Sequence, residues 1–215
     1  MRLIGIYGAS GFGREVMPIA REQYERNGDR LVFIDDDTTR SVDRVNKHEI
    51  FTWDSFLRAG SFLGVAIAIA DAPVREKLME RCTKAGVAIC EIRASNAVIG
   101  DDVLIGEGSI LQPFSSITSN VRIGRGFHAN IYSYVAHDCI IGDFVTLAPG
   151  AKCNGNVHIH DYAYVGTGAI LRQGTAENPL VVGAGAVIGM GAVVTKNVPP
   201  GETVIGNPAR LLQKK

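Results

Sequence analysis

Written in sixes, residues 99–171 read IGDDVL IGEGSI LQPFSS ITSNVR IGRGFH ANIYSY VAHDCI IGDFVT LAPGAK CNGNVH IHDYAY VGTGAI L, and this stretch decides the fold. An aliphatic residue opens each hexad except those of Ala129 and Cys153. Four places later stands a compact residue, as at Ser109, Ser115 and Ala151; Phe127 breaks that rule. A period of six held this long is neither helical periodicity nor strand alternation. It predicts a parallel β-helix built from hexapeptides. Three hexads make one coil, so residues eighteen apart stack at the interstrand spacing of about 4.8 Å. The opening residues fill the interior. The pattern resumes at Val182, Ile188 and Val194. Leu171 and Val182 are eleven apart where six or twelve would keep phase, so a loop over 172–180 carries five extra residues.

The first half has a different grammar. Leu3–Tyr7 reads as a short buried strand, followed by the turn Gly8-Ala9-Ser10-Gly11-Phe12-Gly13 and a helix from about Arg14 to Arg26. Pro18 fits such a helix only near its first turn. Leu31–Ile34 reads as a second strand ending in Asp35-Asp36-Asp37, and Trp53–Arg58 as a short helix. Leu63–Ala70 reads as a third strand. Asp71-Ala72-Pro73 opens a helix to about Lys84, and Val87–Ile92 makes one more strand. Alternating strands and helices predict a small parallel sheet with flanking helices. His48 falls in a loop.

A glycine turn between a strand and a helix suits a phosphate, because the helix N-terminus offers unpaired N–H groups and positive dipole. Asp35 and Asp36 lie about twenty residues on, where a carboxylate can accept hydrogen bonds from a ribose or base. A tight turn needed only for packing is the lesser alternative. This half is too short for two mononucleotide-binding units, which points to one nucleoside diphosphate.

The 215 residues carry 22 Lys+Arg against 22 Asp+Glu, so no net field favours nucleic acid or an anionic membrane. The longest apolar run, Phe62–Ala70, is far short of a membrane span, and the N-terminus does not read as a secretory signal. Cys82, Cys90, Cys139 and Cys153 lack CxxC spacing and read as reduced core cysteines. Together these point to a cytoplasmic protein.

Among the five histidines, His137 occupies an outward turn of its hexad and is followed by Asp138. A histidine beside a carboxylate is a candidate general base, the charge raising its basicity and the hydrogen bond fixing its tautomer. A solvated corner histidine is the other reading. Gly155 lies eighteen residues later at the same corner, where a backbone N–H could serve an oxyanion. Asn130 precedes His137 by seven residues.

The segment Val135-Ala136-His137-Asp138-Cys139-Ile140-Ile141-Gly142 resembles the His-Asp/Glu-Cys-x-Ile-Gly segment of the NeuD- and PglD-type sugar-nucleotide acetyltransferases. Tyr7–Gly13, Ile34-Asp35-Asp36, Pro149-Gly150-Ala151, Gly155-Asn156-Val157 and Gly206-Asn207-Pro208-Ala209-Arg210 are similar to the same family. The resemblance spans the whole chain. It implies a Rossmann-like βαβ domain over 1–92 that binds the nucleotide sugar. It also implies a left-handed parallel β-helix over 93–215 that binds acetyl-CoA, with no metal. The assembly it implies is a homotrimer with active sites between neighbouring subunits.

By motif, His137 would be the base, Asp138 its partner, and the Gly155 N–H an oxyanion donor. Ser10, Gly11, Phe12, Asp35 and Asp36 would hold the nucleotide sugar, with Phe12 standing where the family often has His. Ala70 takes the place of a family Gly, and Asn130 would contact substrate. Thr146 stands where PglD-type members carry a CoA-contacting His. Thr167 and Met190 match further CoA contacts, and Arg210, Lys214 and Lys215 could meet CoA phosphates. The expected reaction is acetylation of the 4-amino group of a UDP-linked 4-amino-4,6-dideoxy sugar, as in bacillosamine-type glycan synthesis. O-acetylation of sialic acid or another sugar is the alternative. A trimeric metal hydro-lyase and a non-catalytic sugar-nucleotide-binding protein are the readings from other classes.

Overall fold

A computed structural model describes residues 2–25, 28–37 and 42–213. The chain divides into two compact units, Met1–Ala94 and Ser95–Lys215.

The first unit runs β1 (Leu3–Tyr7), α1 (Gly11–Tyr24), β2 (Arg30–Ile34), β3 (Arg44–Val45), β4 (His48–Phe51), α2 (Trp53–Arg58), β5 (Phe62–Ile67) and α3 (Ala72–Lys84). The sheet order is β3-β4-β2-β1-β5. β1 pairs parallel with β2 and β5, and β2 with β4. Ile4, Ile6, Val32, Phe33 and Val65 have no exposed surface, as strands covered on both faces require. Against them α1 buries Val16, Met17, Ile19 and Ala20. Tyr7, Trp53, Phe56 and Phe62 stack in sequence, with ring centroids 5.9, 6.2 and 5.3 Å apart.

Four expectations for this unit are corrected. Helix α1 starts at Gly11, inside the glycine turn, so Pro18 lies in its interior rather than near its first turn. Pro18 has no N–H for the turn before it, and the helix continues because the apolar residues on both sides of it are buried. Strand β5 ends at Ile67 rather than Ala70. Its partner β1 ends at Tyr7, which pairs with Ile67, and beyond the ladder the Arg75 Nη1 donates to the Ile69 and Ala70 carbonyls at 2.9 and 3.2 Å. The strand expected over Val87–Ile92 reduces to a single bridge between Val65 and Ile89, and to Ile92–Arg93. His48 opens β4 instead of lying in a loop: Asn46 and Lys47 take φ of 46° and 70° and turn the chain into an antiparallel β3–β4 hairpin.

The second unit is the left-handed β-helix, and its register is eighteen. Ile99, Ile117, Val135, Cys153 and Leu171 pair in one parallel column. Ile105, Ile123, Ile141 and Ile159 pair in a second. Leu111, Ala129, Leu147, Val165, Ile188 and Val204 pair in the third. Val157 then pairs with Leu180, so the loop between them adds the five residues the spacing called for. All four cysteines are free and buried. Phe127 is wholly buried too. Its bulk sits two residues from Ala129, the smallest of the opening residues and also inward. A large buried side chain beside the smallest of the opening ones is the pairing that close packing favours.

The corners follow a rule of their own. From Asp102 to Gly168 every sixth residue takes a left-handed φ, between 52° and 73°. One corner column carries Asp102, Asn120, Asp138 and Asn156 in these positions. Asp and Asn are the side chains that tolerate this region best after Gly. No described helix is long and apolar enough to cross a membrane.

Candidate active site

His137 lies in the turn between the strands Tyr134–Val135 and Ile140–Ile141. Its Nδ1 is 2.7 Å from Asp138 Oδ2, and both side chains are about half exposed, at 48% and 46%. An ionised carboxylate only accepts, so Nδ1 carries a proton, and in the neutral ring Nε2 presents the lone pair. The other carboxylate oxygen, Oδ1, accepts from Asn120 Nδ2 at 3.1 Å. Hydrogen bonds from His137, then from Asn120, hold the Asp138 carboxyl below its usual range. The left-handed backbone of Asp138 is anchored by its N–H, which donates to Ser119 O at 3.1 Å.

Gly155 sits one coil on, under the imidazole. A β-carbon there would stand 2.5 Å from His137 Cε1 and 2.6 Å from Nε2, so only glycine admits the ring. The Gly155 carbonyl accepts from Gly174 N at 2.9 Å, while its N–H makes no hydrogen bond among the described residues. The neighbouring Asn154 is clamped by Tyr134 Oη at 2.7 Å and by the Leu171 carbonyl at 2.7 Å. Cys139 points inward and lies 3.2 Å from Asn154 O, so it presents no nucleophile at the surface.

Asn130, Thr167 and Met190 fall on the preceding corner, so they edge the same strand face as His137 and Gly155 from its other side. Gly191 N donates to Thr167 O at 2.8 Å, stacking Met190 one coil beyond Thr167. Met190 is 81% exposed. The Asn130 Oδ1 is buried and has no hydrogen-bond partner among the described residues. Thr146 is buried on the face that leads into the Asn130 and Thr167 corner, its strand pairing with those of His128 and Tyr164. Arg210 is exposed and lines a cavity of about 320 Å³ with Thr195, Lys196 and Asn197 at the C-terminal end of the coil. Lys214 and Lys215 lie outside the described residues. Among the described residues no three His, Cys, Asp or Glu side chains converge as metal ligands.

In the first unit, Ser10 is the N-cap of α1, and its side chain makes no capping bond. Gly11 faces open space, whereas Gly13 lies against the Gly8 carbonyl, which a side chain would strike. Asp35 braces the turn, accepting from Ala9 N at 3.3 Å and Asp37 N at 3.1 Å. Asp36 is engaged by protein groups. Its Oδ2 accepts from Tyr7 Oη and Arg81 Nη1, each at 2.5 Å, and its Oδ1 from Trp53 N at 3.0 Å. The Arg81 guanidinium also lies over Trp53, 5.0 Å from the ring centroid. Arg81 and Asn120 escaped the reading of the sequence. Asn120 was findable, since it stands eighteen residues before Asp138; Arg81 carries no such periodic signal.

Residues 3–82 match the PglD N-terminal domain family. The whole chain is 49% identical, over 218 residues, to the GDP-perosamine N-acetyltransferase of Escherichia coli O157:H7, covering 100% of this chain and 98% of that one. The chain belongs to the NeuD/PglD-type hexapeptide acetyltransferases. Its relatives include an N-acetyltransferase named for GDP-perosamine and an acetyltransferase domain solved with acetyl coenzyme A. Among solved members, WeeI from Acinetobacter baumannii AYE is 54% identical with a TM-score of 0.94, covering 99% of this chain and 100% of that chain. The acetyltransferase domain of PglB from Neisseria gonorrhoeae FA1090, in complex with acetyl coenzyme A, is 28% identical. Its TM-score is 0.86, covering 98% of this chain and 99% of that one.

Proposed function

We propose that this NeuD/PglD-type enzyme acetylates the 4-amino group of a nucleoside-diphosphate-linked 4-amino-4,6-dideoxyhexose. The observation that carries the mechanism is the His137–Asp138 pair, which leaves the His137 Nε2 lone pair outward beside Gly155. The acceptor amine attacks the thioester carbonyl carbon, and Nε2 takes the proton the nitrogen sheds. Asp138 supports the imidazolium. The Gly155 N–H, which has no other partner among the described residues, donates to the oxyanion. Collapse of the tetrahedral species breaks the C–S bond, and the imidazolium returns its proton to the departing CoA sulfur. Burial of Cys139 favours direct transfer over an acyl-enzyme.

Ser10, Gly11 and Phe12, with Asp35, Asp36 and Ala70 of the β5–α3 turn, hold the nucleotide sugar at the N-terminus of α1, and Asn130 meets the acceptor. Thr146, Thr167, Met190 and Arg210 are the acetyl-CoA contacts, with Lys214 and Lys215 available to its phosphates. The working unit is a homotrimer in the cytoplasm, with sites between neighbouring subunits. The motif resemblance favours UDP as the nucleotide. The full-length relative named for GDP-perosamine favours GDP, as a second reading.

The test is release of CoA thiol from acetyl-CoA in the presence of UDP- or GDP-linked 4-amino-4,6-dideoxyhexoses, or of sialic acid. Release with an amino sugar nucleotide supports the proposal, and the better substrate identifies the base. Release only with sialic acid would replace N- by O-acetylation, and no release with any acceptor would contradict both.

A further inference from the structure

Asp138 has two carboxylate oxygens, and only one of them faces His137. The other accepts from Asn120 Nδ2 at 3.1 Å. Asn120 and Asp138 are consecutive members of the corner column that takes left-handed φ, at 55° and 58°. The column therefore aims both side chains off the corner in the same direction, one coil apart. Their backbones are tied separately, Asn120 N to Asp101 O at 3.0 Å and Asp138 N to Ser119 O at 3.1 Å. The side-chain bond is thus not needed to keep the coil closed. Asp102, one coil before Asn120 in the same column, is ion-paired with Arg122 at 2.9 Å. Cys139, beside Asp138 in the chain, points inward.

We infer that Asn120 is a positioning residue of the acetyl-transfer site: it orients the Asp138 carboxylate, and through it the tautomer and ring of His137. The inference rests on the proposal that His137 is the base. A carboxylate bonded only to His137 could rotate about its terminal torsion, which is broad for Asp. The Asn120 donor fixes that rotation with the second oxygen. It also favours the ionised form, the form that can accept from Nδ1–H. The groups that orient metal-bound histidines are worth about 10–100-fold, and the lower end of that scale is expected for a histidine oriented at one remove.

The test is the pH profile of kcat/KM for Asn120→Ala and Asn120→Asp, with circular dichroism as the fold control. Asn120→Asp keeps the shape and the tolerance for left-handed φ, but it replaces the donor by a second carboxylate. Asn120→Ala should lower kcat about tenfold with the KM for acetyl-CoA unchanged. Asn120→Asp should move the acidic limb of the profile upward by about half a unit to one unit, because a neighbouring negative charge favours protonation of the His137–Asp138 pair. A merely structural residue would move neither the limb nor kcat alone. A wild-type kcat in Asn120→Ala together with an unshifted limb in Asn120→Asp would overturn the inference. If His137→Ala is inactive in the same assay, that failure belongs to Asn120 alone. If His137→Ala is active, the base assignment falls and this inference with it.

Discussion

The imidazole of His137 lies on the α-carbon of Gly155, one coil further along the β-helix. A β-carbon at 155 would stand 2.6 Å from the Nε2 that receives the proton. Replacing Gly155 by Ala must push the ring away from the place where the amine and thioester meet. Displacement of a reacting group by about 1 Å can cost about 10²-fold in rate. Gly155→Ala should therefore lose about that much kcat while keeping its melting temperature, read by steady-state kinetics and thermal denaturation. Unchanged kcat would show that the ring position does not matter.

Gly174 and Leu180 bracket the extra residues of the coil and nearly touch: a β-carbon on Gly174 would lie 2.6 Å from Leu180 N. Inside the loop, Thr175 and Asn178 bond mainly to each other. The anchors, Gly174 N to Gly155 O and Leu180 N to Asn156 O, lie outside it. Deleting Thr175–Pro179 should restore the eighteen-residue register and leave a folded protein, its melting temperature lowered by a few degrees at most. Loop length alone changes closure entropy slowly. Unfolding of the deletion variant would mean that the loop is part of the coil's support.

Phe127 and Ala129, two residues apart, are both buried in the coil. Phe127→Ala should cost about 3–5 kcal/mol in urea unfolding, as buried Phe truncations do. Restoring volume at the partner position, with Ala129→Leu, should recover part of that loss. No recovery would refute the volume compensation between them.

In the first unit, burial raises the Asp36 carboxyl, but bonds from Tyr7, Trp53 N and Arg81 outweigh it and hold the carboxyl below its usual value. A folded pKa below the unfolded one gives stability that is present above the unfolded value, near 3.9. That stability is lost as pH falls through the folded pKa. Asp36→Asn should therefore unfold at lower urea than the wild type at pH 7, with the gap closing below about pH 4. A gap that stays constant with pH would show that shape, not charge, sets the loss.

The β-helix was legible because its interior is read every sixth residue, and a buried position admits few side chains. Gly155 and Asn120 followed from the same arithmetic, one by inspection and one overlooked. The corner rule was harder to see. Its positions hold Gly, Asn and Asp but also Phe114, Tyr132, Phe144 and Tyr162, so no single residue type marks the left-handed backbone. The first unit was read less well at its edges. Pro18 argued for a later helix start than α1 has, because local propensity at Pro was outweighed by burial around it. Strand β5 stops at Ile67 because its partner β1 stops at Tyr7, a limit of pairing that the apolar run through Ala70 does not announce. The β3–β4 hairpin hid in a polar stretch whose turn, Asn46-Lys47, lacks glycine.

The central claim is that His137 is the base that accepts the amine proton. The measurement that tests it most directly is kcat for His137→Ala with acetyl-CoA and the preferred amino sugar nucleotide, beside binding of both substrates by calorimetry. The account predicts unchanged binding and a loss of about 10²–10⁴-fold in kcat, the usual worth of one positioned base. A kcat near that of the wild type, with binding intact, would contradict it.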